Sequence, residues 1–380
     1  MLTYVVVFII ITYLCIIGLL CYGFDLVDDF EVQDIPHKTK FSVIIPFRNE
    51  ANNLPNLLES ILKLEYPKSM FDIILVDDDS EDDSVAVINS IIKKHPFKLA
   101  NVDLHIIKNI RTSNSPKKDA ITTAVLVSKY NWIVTTDADC SLPKYWLDAF
   151  DECIQLKKTN SIVAPVTYHS KMTFLNRFQT LDMLSLQGAT IGSFGIKKPI
   201  LCNGANFCYR KELFHTVNGF KDNNTIASGD DIFLLEKFLA HDAKKVHYLK
   251  SKNAIVITNP ANGLNALIHQ RLRWASKTSQ NKNEFTKGIG LVIFFGNLTC
   301  FGILLAIFLN IIALDIAVAL YSIKFSIDFL LLFKTTRFFK QENLLLSYVF
   351  SSIIYPIFNV SIVFLTFFKS YEWKNRTFKA

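Results

Sequence analysis

Features that define several protein classes are missing from this 380-residue chain. Its seven cysteines form no CxxC pair and are odd in number, so a disulfide framework is not expected. They are instead predicted to be reduced, mostly buried thiols in a cytosolic setting. The net charge is +7, yet no basic helix, aromatic base-stacking motif or zinc-finger spacing accompanies it, so nucleic acid is not an expected partner. The positive charge instead suits a protein that lies against anionic lipid headgroups.

Charged residues are absent from residues 1–24 and sparse in 288–368, whereas 38–287 has the mixed composition of a globular domain. A helix of roughly 20 apolar residues is long enough to cross a membrane. The first segment has no basic residue before its apolar stretch and no small-x-small cleavage site after it, which favours an anchor over a cleaved signal peptide. The sequence therefore predicts a transmembrane anchor at 1–24, a cytosolic domain at 38–287, a C-terminal transmembrane region at 288–368 and a basic tail at 369–380.

The C-terminal region contains three apolar segments, at 288–314, 316–333 and 344–368. Basic loops tend to remain in the cytosol. Three simple crossings after a cytosolic domain would leave the basic tail outside the cell, against that rule. A break at Pro356 would turn the last segment into a re-entrant pair and return the tail to the cytosol. The region thus holds two to four segments, and the whole chain four or five membrane helices.

Short apolar runs alternate with longer amphipathic ones from Phe41 onward, which is the βαβ pattern of a parallel sheet. The predicted strands are SVIIP, DIILVD, DLHII and the run NWIVTT, and the predicted helices cover residues 52–62, 84–94 and 117–128. The fold class is therefore α/β, a mostly parallel sheet flanked by helices, with transmembrane helices at both ends of the chain. Ligands of open α/β sheets bind at the carboxyl ends of the strands, so acids at those ends are candidate site residues.

The first acidic cluster, residues 77–82, follows the strand DIILVD directly. Its carboxylates could accept hydrogen bonds from a nucleotide base and ribose. The alternative is that Ser80, Asp82 or Asp83 caps the next helix.

The second acidic cluster has the form DxD, with Asp137 and Asp139 after a buried strand. Two carboxylates at i and i+2 can both reach one hard cation, which in turn neutralises a diphosphate. A lone DxD occurs often by chance, but its position at a strand end after the first acidic cluster strengthens the interpretation. The ion would be Mg²⁺ or Mn²⁺, since both accept carboxylate and phosphate oxygens.

Seven elements along residues 41–275 resemble, in order and spacing, the motifs of family 2 glycosyltransferases. They are SVIIPFRNE, VDDDSEDDS, PKKDAI, TTDADC with PKYWL, NGANFCYRKELF with VNGF, GDDIFLL, and QRLRW. The resemblance implies a nucleotide-sugar-binding domain of the GT-A type and transfer with inversion. It extends to lipid-glycosylating members and to the cellulose, chitin and hyaluronan synthases, and it favours a UDP-sugar as donor, with guanosine diphosphate as the next carrier.

On the donor side, the resemblance implies that Asp78 contacts the base and that Lys117, at a GK-like position, contacts the nucleotide or diphosphate. Pro116 stands where the family commonly has glycine, a departure from the family pattern in that loop. Solvated surface is the alternative interpretation of the two lysines after it. Asp139 and Asp137 would hold the metal and the diphosphate. The full set implied around the nucleotide sugar is Pro46, Arg48, Glu50, Asp78, Lys117 and Asp137.

The motif GDDIFLL implies that Asp231 is the general base and Asp230 its neighbour. Inverting transfer needs one carboxylate to take a proton from the acceptor hydroxyl. Capping of a helix by Asp230 is an alternative that is compatible with this role. Gly204 and Asn206, with Ala205 between them, resemble the segment that lines the acceptor side of the donor sugar, although a glycine there also fits a tight turn.

The motif QRLRW matches QxxRW through Gln270, Arg273 and Trp274. The resemblance places these residues at the acceptor and the diphosphate: an arginine holds a diphosphate through forked hydrogen bonds, and an indole offers a flat surface to a sugar ring. Arginine and tryptophan beside a membrane segment are also ordinary interfacial anchors. Near the C-terminus, EWKNR resembles a WKGR tail of some membrane-bound members, with Asn375 in place of glycine.

Three functions follow as hypotheses. The preferred one is an integral protein of the plasma (inner) membrane that transfers single sugars to a lipid or glycan acceptor, with a cytosolic catalytic domain. The second is a processive polysaccharide synthase, which needs more helices around a polymer channel than four or five segments readily supply. The third is a non-catalytic nucleotide-sugar-binding membrane protein, although its acids and Arg273 are all present. A nucleotidyltransferase would typically carry a glycine-rich phosphate loop, and SVIIPFRNE contains no glycine.

Overall fold

The computed structural model describes residues 2–95, 102–169, 172–223, 228–278, 283–309, 311–374 and 376–379. Asn375, singled out in the sequence, lies outside the described residues. Contacts divide the chain into two compact units. The α/β unit comprises Asp28–Tyr168 and Leu201–Asn259, and the helical unit comprises Met1–Val27, His169–Ile200 and Pro260–Ala380.

Helices and strands are numbered along the whole chain. The α/β unit contains the helices α2 (Leu54–Leu62), α3 (Ser84–Lys94), α4 (Pro116–Val127), α5 (Trp146–Leu156), α7 (Lys211–Thr216) and α8 (Asp230–Asp242). Its strands are β1 (Phe41–Phe47), β2 (Phe71–Asp77), β3 (Asp103–Lys108), β4 (Trp132–Thr135), β5 (Ser161–Val163), β6 (Val166–Tyr168), β7 (Phe207–Arg210), β8 (Val246–Tyr248) and β9 (Val256–Thr258). The helical unit contains α1 (Leu2–Leu26), α6 (Phe174–Gly195), α9 (Leu264–Thr278), α10 (Glu284–Phe308), α11 (Leu314–Phe339) and α12 (Tyr348–Thr366), with the strands β10 (Ser370–Trp373) and β11 (Arg376–Lys379).

A seven-stranded sheet in the order β3-β2-β1-β4-β7-β5-β8 forms the centre of the α/β unit. The strands β1 to β4 are parallel where they pair, and β7 runs antiparallel to β4 and β5. The apolar runs of β1, β2 and β4 are buried almost throughout, as expected for strands covered on both faces. The predicted mostly parallel sheet flanked by helices is therefore confirmed.

Proline is accommodated inside β1 because the pairing on one side ends early. The partner β4 pairs with β1 only as far as Ile44 opposite Thr135, whereas β2 continues to the end of the strand. Pro46 lies beyond the pairing with β4, so its missing N–H removes no bond of that ladder.

The helical unit contains four stretches that are long and apolar enough to cross a membrane, among the described residues: Tyr4–Leu26, Glu284–Phe308, Leu314–Phe339 and Glu342–Thr366. The helix α12 runs through Pro356 without interruption, so the break considered for this segment does not occur. The start of α12 packs beside α11, where the Tyr348 hydroxyl donates to the carbonyl of Phe325 at 2.7 Å.

Polar side chains join α1 to α11 inside the helical unit. The Tyr13 hydroxyl donates to Asp328 at 2.7 Å, and Lys324 donates to the other oxygen of the same carboxylate at 2.6 Å. Lys334 pairs with Asp25 at 2.6 Å. The last contact brings the C-terminal ends of α1 and α11 together.

The helix α6 groups with the apolar helices, although the sequence assigned its residues to the soluble domain. Its glycines allow its backbone to touch that of α1. A Cβ on Gly192 would overlap the carbonyl oxygen of Leu20, and a Cβ on Gly195 would overlap that of Gly23. Small residues at helix interfaces are a known means of close packing in membranes.

The strands β10 and β11 form an antiparallel hairpin at the end of the helical unit. The Glu372 N–H donates to Nδ1 of His269 on α9 at 3.2 Å. The buried side chain of Tyr371 interacts with Ser276 on the same helix. The C-terminal hairpin therefore packs along α9.

Candidate active site

The acidic clusters follow the carboxyl ends of two parallel strands that lie on either side of β1. Asp78 comes directly after β2, and Asp137 follows β4, with β1 between the two strands. The sheet topology thus places both clusters at one edge, where open α/β sheets bind ligands.

Lys117 joins two of the predicted acids. Its Nζ lies 2.7 Å from Oδ1 of Asp137 and 3.2 Å from Oδ2 of Asp230. Burial by itself lowers the pKa of this lysine, but the charges of Asp137 and Asp230 outweigh burial and hold the pKa well above its usual value. Lys117 is therefore a fixed positive charge between the DxD element and the start of α8.

Pro116 fits the structure despite replacing the usual glycine. It is the first residue of α4, where a proline loses no intrahelical hydrogen bond and its fixed φ suits the helix. Lys117 is consequently the second helical residue, and Lys118, which is buried, donates to the carbonyl of Asn223 at 2.7 Å.

Asp230 and Asp231 are the first two residues of α8, where carboxylates are favoured by the helix dipole. The helix is capped by Gly229 at φ +84°, a conformation that favours glycine, so Asp230 is not the capping residue considered earlier. Oδ1 of Asp231 accepts from the N–H of Ile232 at 2.8 Å, and Oδ2 accepts from the N–H of Gly204 at 3.3 Å.

The turn at Gly204 packs directly against this acidic pair. A Cβ on Gly204 would lie 2.7 Å from Oδ2 of Asp230 and 3.4 Å from Nζ of Lys117. Glycine is therefore needed here for close approach to the carboxylates.

The side-chain amide of Asn206 makes hydrogen bonds through both its nitrogen and its oxygen, all within the α/β unit. Its Nδ2 donates to the carbonyls of Pro165 and Ala254 at 2.8 and 2.7 Å, and its Oδ1 accepts from Nε1 of Trp146 at 2.9 Å. The side chain is fully buried. These contacts give Asn206 the role of holding the turn in place.

Arg48 and Glu50 shape the loops beside the sheet edge. The buried guanidinium of Arg48 donates to the carbonyls of Asp78 and Asp79 and, at 2.8 Å, to Glu81. Glu50 accepts from Nδ2 of Asn53 at the start of α2. Arg48 therefore fixes the backbone of the loop that carries Asp78.

Sequence reasoning missed two partners of Asp78. Nδ2 of Asn109 donates to Oδ1 of Asp78 at 2.7 Å, and Arg111 lies 3.5 Å from the same oxygen. Both residues follow β3, the next parallel strand, and their position after a strand was the available signal. Of the capping residues considered in the sequence, Asp83 holds the N-cap position of α3 without a side-chain cap hydrogen bond, and Oδ1 of Asp82 accepts from the N–H of Ser84 at 3.0 Å.

Asp137 and Asp139 lie in the turn after β4 and are both partly exposed. Among the described residues, no three side chains of His, Cys, Asp or Glu come together as ligands of one ion. Two carboxylates are nevertheless a suitable donor set for Mg²⁺ or Mn²⁺ when phosphate oxygens and water complete the shell. The residues present thus fit an ion that binds together with a diphosphate.

The QxxRW residues lie on α9 in the helical unit. Sequence reasoning passed over Arg271, the second residue of the motif. It pairs with the buried carboxylate of Asp182 on α6 at 2.6 Å.

Two family models match the chain. The model of glycosyl transferase family 2 matches residues 42–217, and that of glycosyl transferase family group 2 matches residues 132–368. Both include the DxD element and Gly204, and the second also includes the acidic pair and the QxxRW motif.

Known proteins agree with these matches. The poly-beta-1,6-N-acetyl-D-glucosamine synthase of Staphylococcus epidermidis is 25% identical over 239 residues, which cover 62% of this chain and 53% of that protein. The dolichyl-phosphate beta-glucosyltransferase of Dictyostelium discoideum is 32% identical over 104 residues, covering 26% of this chain and 30% of that protein. The chain thus spans about half the length of the staphylococcal relative that it matches.

A solved structure shares the architecture. The mannosyltransferase PcManGT from Pyrobaculum calidifontis, determined with GDP-Man and Mn²⁺, aligns at a TM-score of 0.57 and 14% identity over 93% of this chain and 99% of that one. The likeness shows the GT-A fold. Because the family group 2 model covers more than half of the 380 residues, the chain belongs to the family 2 glycosyltransferases.

Proposed function

We propose that this glycosyltransferase moves a sugar from a nucleoside diphosphate sugar to a lipid or lipid-linked acceptor, with inversion at the anomeric carbon. The observation that carries the proposal is the fixed carboxylate of Asp231, which accepts one backbone N–H on each oxygen. A general base must be held in one orientation within reach of the proton that it removes. The ion-paired Asp230 beside it links this carboxylate to Lys117 and the DxD element.

Asp231 acts as the general base of a single displacement. Its carboxylate takes the proton of the acceptor hydroxyl while the hydroxyl oxygen attacks the anomeric carbon. The bond between that carbon and the diphosphate oxygen breaks, and its electron pair leaves with the nucleoside diphosphate. Attack on the face opposite the leaving group inverts the anomeric configuration.

The donor side is formed by Asp78, Lys117 and the DxD pair. Asp137 and Asp139 hold a divalent ion, Mg²⁺ or Mn²⁺, which when bound neutralises charge on the departing diphosphate. Family resemblance favours a UDP-sugar. The GDP-Man and Mn²⁺ of the archaeal mannosyltransferase support a divalent metal and keep guanosine diphosphate as the alternative carrier.

Family resemblance assigns roles at the acceptor to Gly204 in the α/β unit and to the QxxRW residues in the helical unit, with Arg273 expected at the diphosphate and Trp274 at a sugar ring. The dolichyl-phosphate relative supports a lipid acceptor. The staphylococcal synthase, which matches over 62% of this chain, favours polymer synthesis as the second candidate. Product analysis separates them, since one sugar per lipid supports the first and a long polymer supports the second.

The catalytic domain faces the cytosol in this proposal. The pair Asp25 and Lys334 brings the basic end of α11 to the end of α1 that leads into residue 28. The hairpin carrying the basic tail bonds to His269 on α9, a helix too polar for the hydrocarbon core. Both basic segments then lie on one side, which agrees with the tendency of basic residues to remain inside the plasma membrane.

Release of nucleoside diphosphate by the detergent-purified protein tests the function. A panel of UDP- and GDP-sugars is offered with membrane lipid, with Mn²⁺, Mg²⁺ or chelator, to the wild type and to Asp231→Asn. The matched control is Asp222→Asn, an exposed aspartate in the left-handed region that asparagine also tolerates. Metal-dependent release that survives in the control but not in Asp231→Asn supports the proposal. No release from any donor would favour the nucleotide-sugar-binding hypothesis.

A further inference from the structure

A buried ion pair lies beside the QxxRW motif in the helical unit. Nε and Nη2 of Arg271 on α9 lie 2.7 and 2.6 Å from the same oxygen of Asp182 on α6. Both residues are about 93% buried, with 7% of each exposed. A buried ion pair contributes little net stability, because the cost of removing two charges from water offsets their attraction. Stability alone therefore does not account for a paired charge at this position.

The same guanidinium contacts two residues of the motif. Its Nη1 donates to Oε1 of Gln270 at 2.7 Å. The guanidinium lies over the ring of Trp274, with 4.1 Å between its carbon and the ring centroid. Arg271 thus binds Gln270 through a hydrogen bond and Trp274 through a cation–π contact, while Asp182 holds the guanidinium in place.

The ion pair also connects the motif to the last apolar helix. The charge of the Asp182 carboxylate also acts on the hydroxyl of Tyr355 on α12. Three helices, α6, α9 and α12, therefore meet at one carboxylate. A displacement of α6 or α12 would move Arg271, and with it the side chains of Gln270 and Trp274.

We propose that Arg271, held by Asp182, is a positioning residue that orients Gln270 and Trp274 for the acceptor. This inference rests on the proposed function, in which those two side chains face the acceptor. A planar fork is required, since only arginine can pair with a carboxylate, donate to an amide oxygen and stack on an indole at the same time. A lysine would keep the charge, but its single ammonium group could not make all three contacts at once.

The first test is a steady-state comparison of Arg271→Lys, Arg271→Met and Asp182→Asn with the wild type. We expect acceptor-dependent transfer to fall by about tenfold to a hundredfold in all three, because small displacements of substrate-positioning groups cost rates of that order. The KM for the donor is expected to remain within about twofold, since the diphosphate contacts are proposed for other residues. Equal losses in donor and acceptor parameters, or wild-type kinetics for Arg271→Lys, would overturn the proposal.

A double-mutant cycle asks whether Arg271 acts through the motif. In a Trp274→Ala, Gln270→Ala background, Arg271→Met should reduce acceptor transfer by less than about twofold further, because the residues that it positions are already gone. The control substitution is Lys250→Met, which removes a buried lysine paired with Asp29 in the α/β unit. The effect of Lys250→Met on acceptor transfer should be the same in both backgrounds. If Arg271→Met reduced acceptor transfer by the same factor in both backgrounds as well, the positioning role would be contradicted.

A spectroscopic measurement is independent of activity. Loss of the guanidinium over the indole should shift the tryptophan emission and the near-ultraviolet dichroism of Arg271→Met, and the shift should vanish in a Trp274→Phe background. If the wild type transfers no sugar but Arg271→Met still shows the spectral shift, the contact between Arg271 and Trp274 is supported and only the proposed function is refuted. Absence of any shift, with a folded variant that elutes and melts like the wild type, would refute the positioning geometry.

Discussion

Replacing Gly204 by alanine tests whether the turn and the acidic pair form one site. The added Cβ would lie 2.7 Å from Oδ2 of Asp230, 3.4 Å from Nζ of Lys117 and 3.6 Å from Cβ of Asp231. Gly204 does not have a positive φ, so its backbone accepts alanine without strain. The only cost is therefore the contact with these side chains.

The size of the effect follows from that contact. Non-bonded atoms prefer separations of about 3.5 Å, so the carboxylate of Asp230 must retreat by up to about 0.8 Å. Lys117 is ion-paired with it at 3.2 Å and would shift as well. A displacement approaching 1 Å can cost about a hundredfold in rate, and we expect kcat to fall by about tenfold to a hundredfold. The free energy of unfolding should fall by no more than about 3 kcal/mol, the usual upper cost of one added carbon atom.

The assay is release of nucleoside diphosphate at saturating donor and acceptor. Gly302→Ala is the matched control, because a Cβ there has no neighbour within 4 Å. In an Asp230→Ala background the contact is relieved, and Gly204→Ala should add less than about a twofold loss. A kcat for Gly204→Ala close to that of the wild type, or an undiminished loss in the Asp230→Ala background, would refute the packing argument.

Three further outcomes concern stability, each measured by melting in detergent. Trp146→Phe removes the donor to the buried Oδ1 of Asn206 and should lower the free energy of unfolding by about 1–3 kcal/mol. An unchanged melting temperature would show that this hydrogen bond is dispensable. Gly195→Ala forces the backbone of α6 away from Gly23 and should cost at least about 1 kcal/mol more than the Gly302→Ala control. Burial raises the pKa of Asp72 above its usual value of 3.8, so its ionised form destabilises the folded state. Asp72→Asn should therefore melt higher than the wild type at neutral pH, and the difference should shrink as the pH falls through the raised pKa.

Much of the α/β unit could be predicted because local patterns determine it. The helix expected at residues 84–94 is Ser84–Lys94, and the helix expected at 117–128 is Pro116–Val127. Apolar runs that end abruptly in acids identified the strands β2 and β4 and the edge of the sheet where the acids lie. Such patterns depend on burial and charge within a few residues, which a sequence displays directly.

The direction of individual side chains could not be predicted in the same way. The motif match assigned Asn206 to the acceptor side, yet its amide is bonded to Pro165, Ala254 and Trp146, which are distant in sequence. Arg271 was passed over because the motif leaves its position undefined. A motif gives the position of a residue in the chain, whereas the partner of a buried polar group depends on which elements meet there.

The side on which the C-terminal tail lies illustrates the same limit at a larger scale. Counting apolar segments and charges left two incompatible arrangements, and Pro356 was the only local feature that could decide between them. The helix is unbroken at Pro356, so the local feature decides nothing. The contact that locates the hairpin joins Glu372 to His269, 103 residues apart, and places the hairpin along α9. Since that contact links two elements far apart in sequence, no local pattern around Pro356 could have shown it.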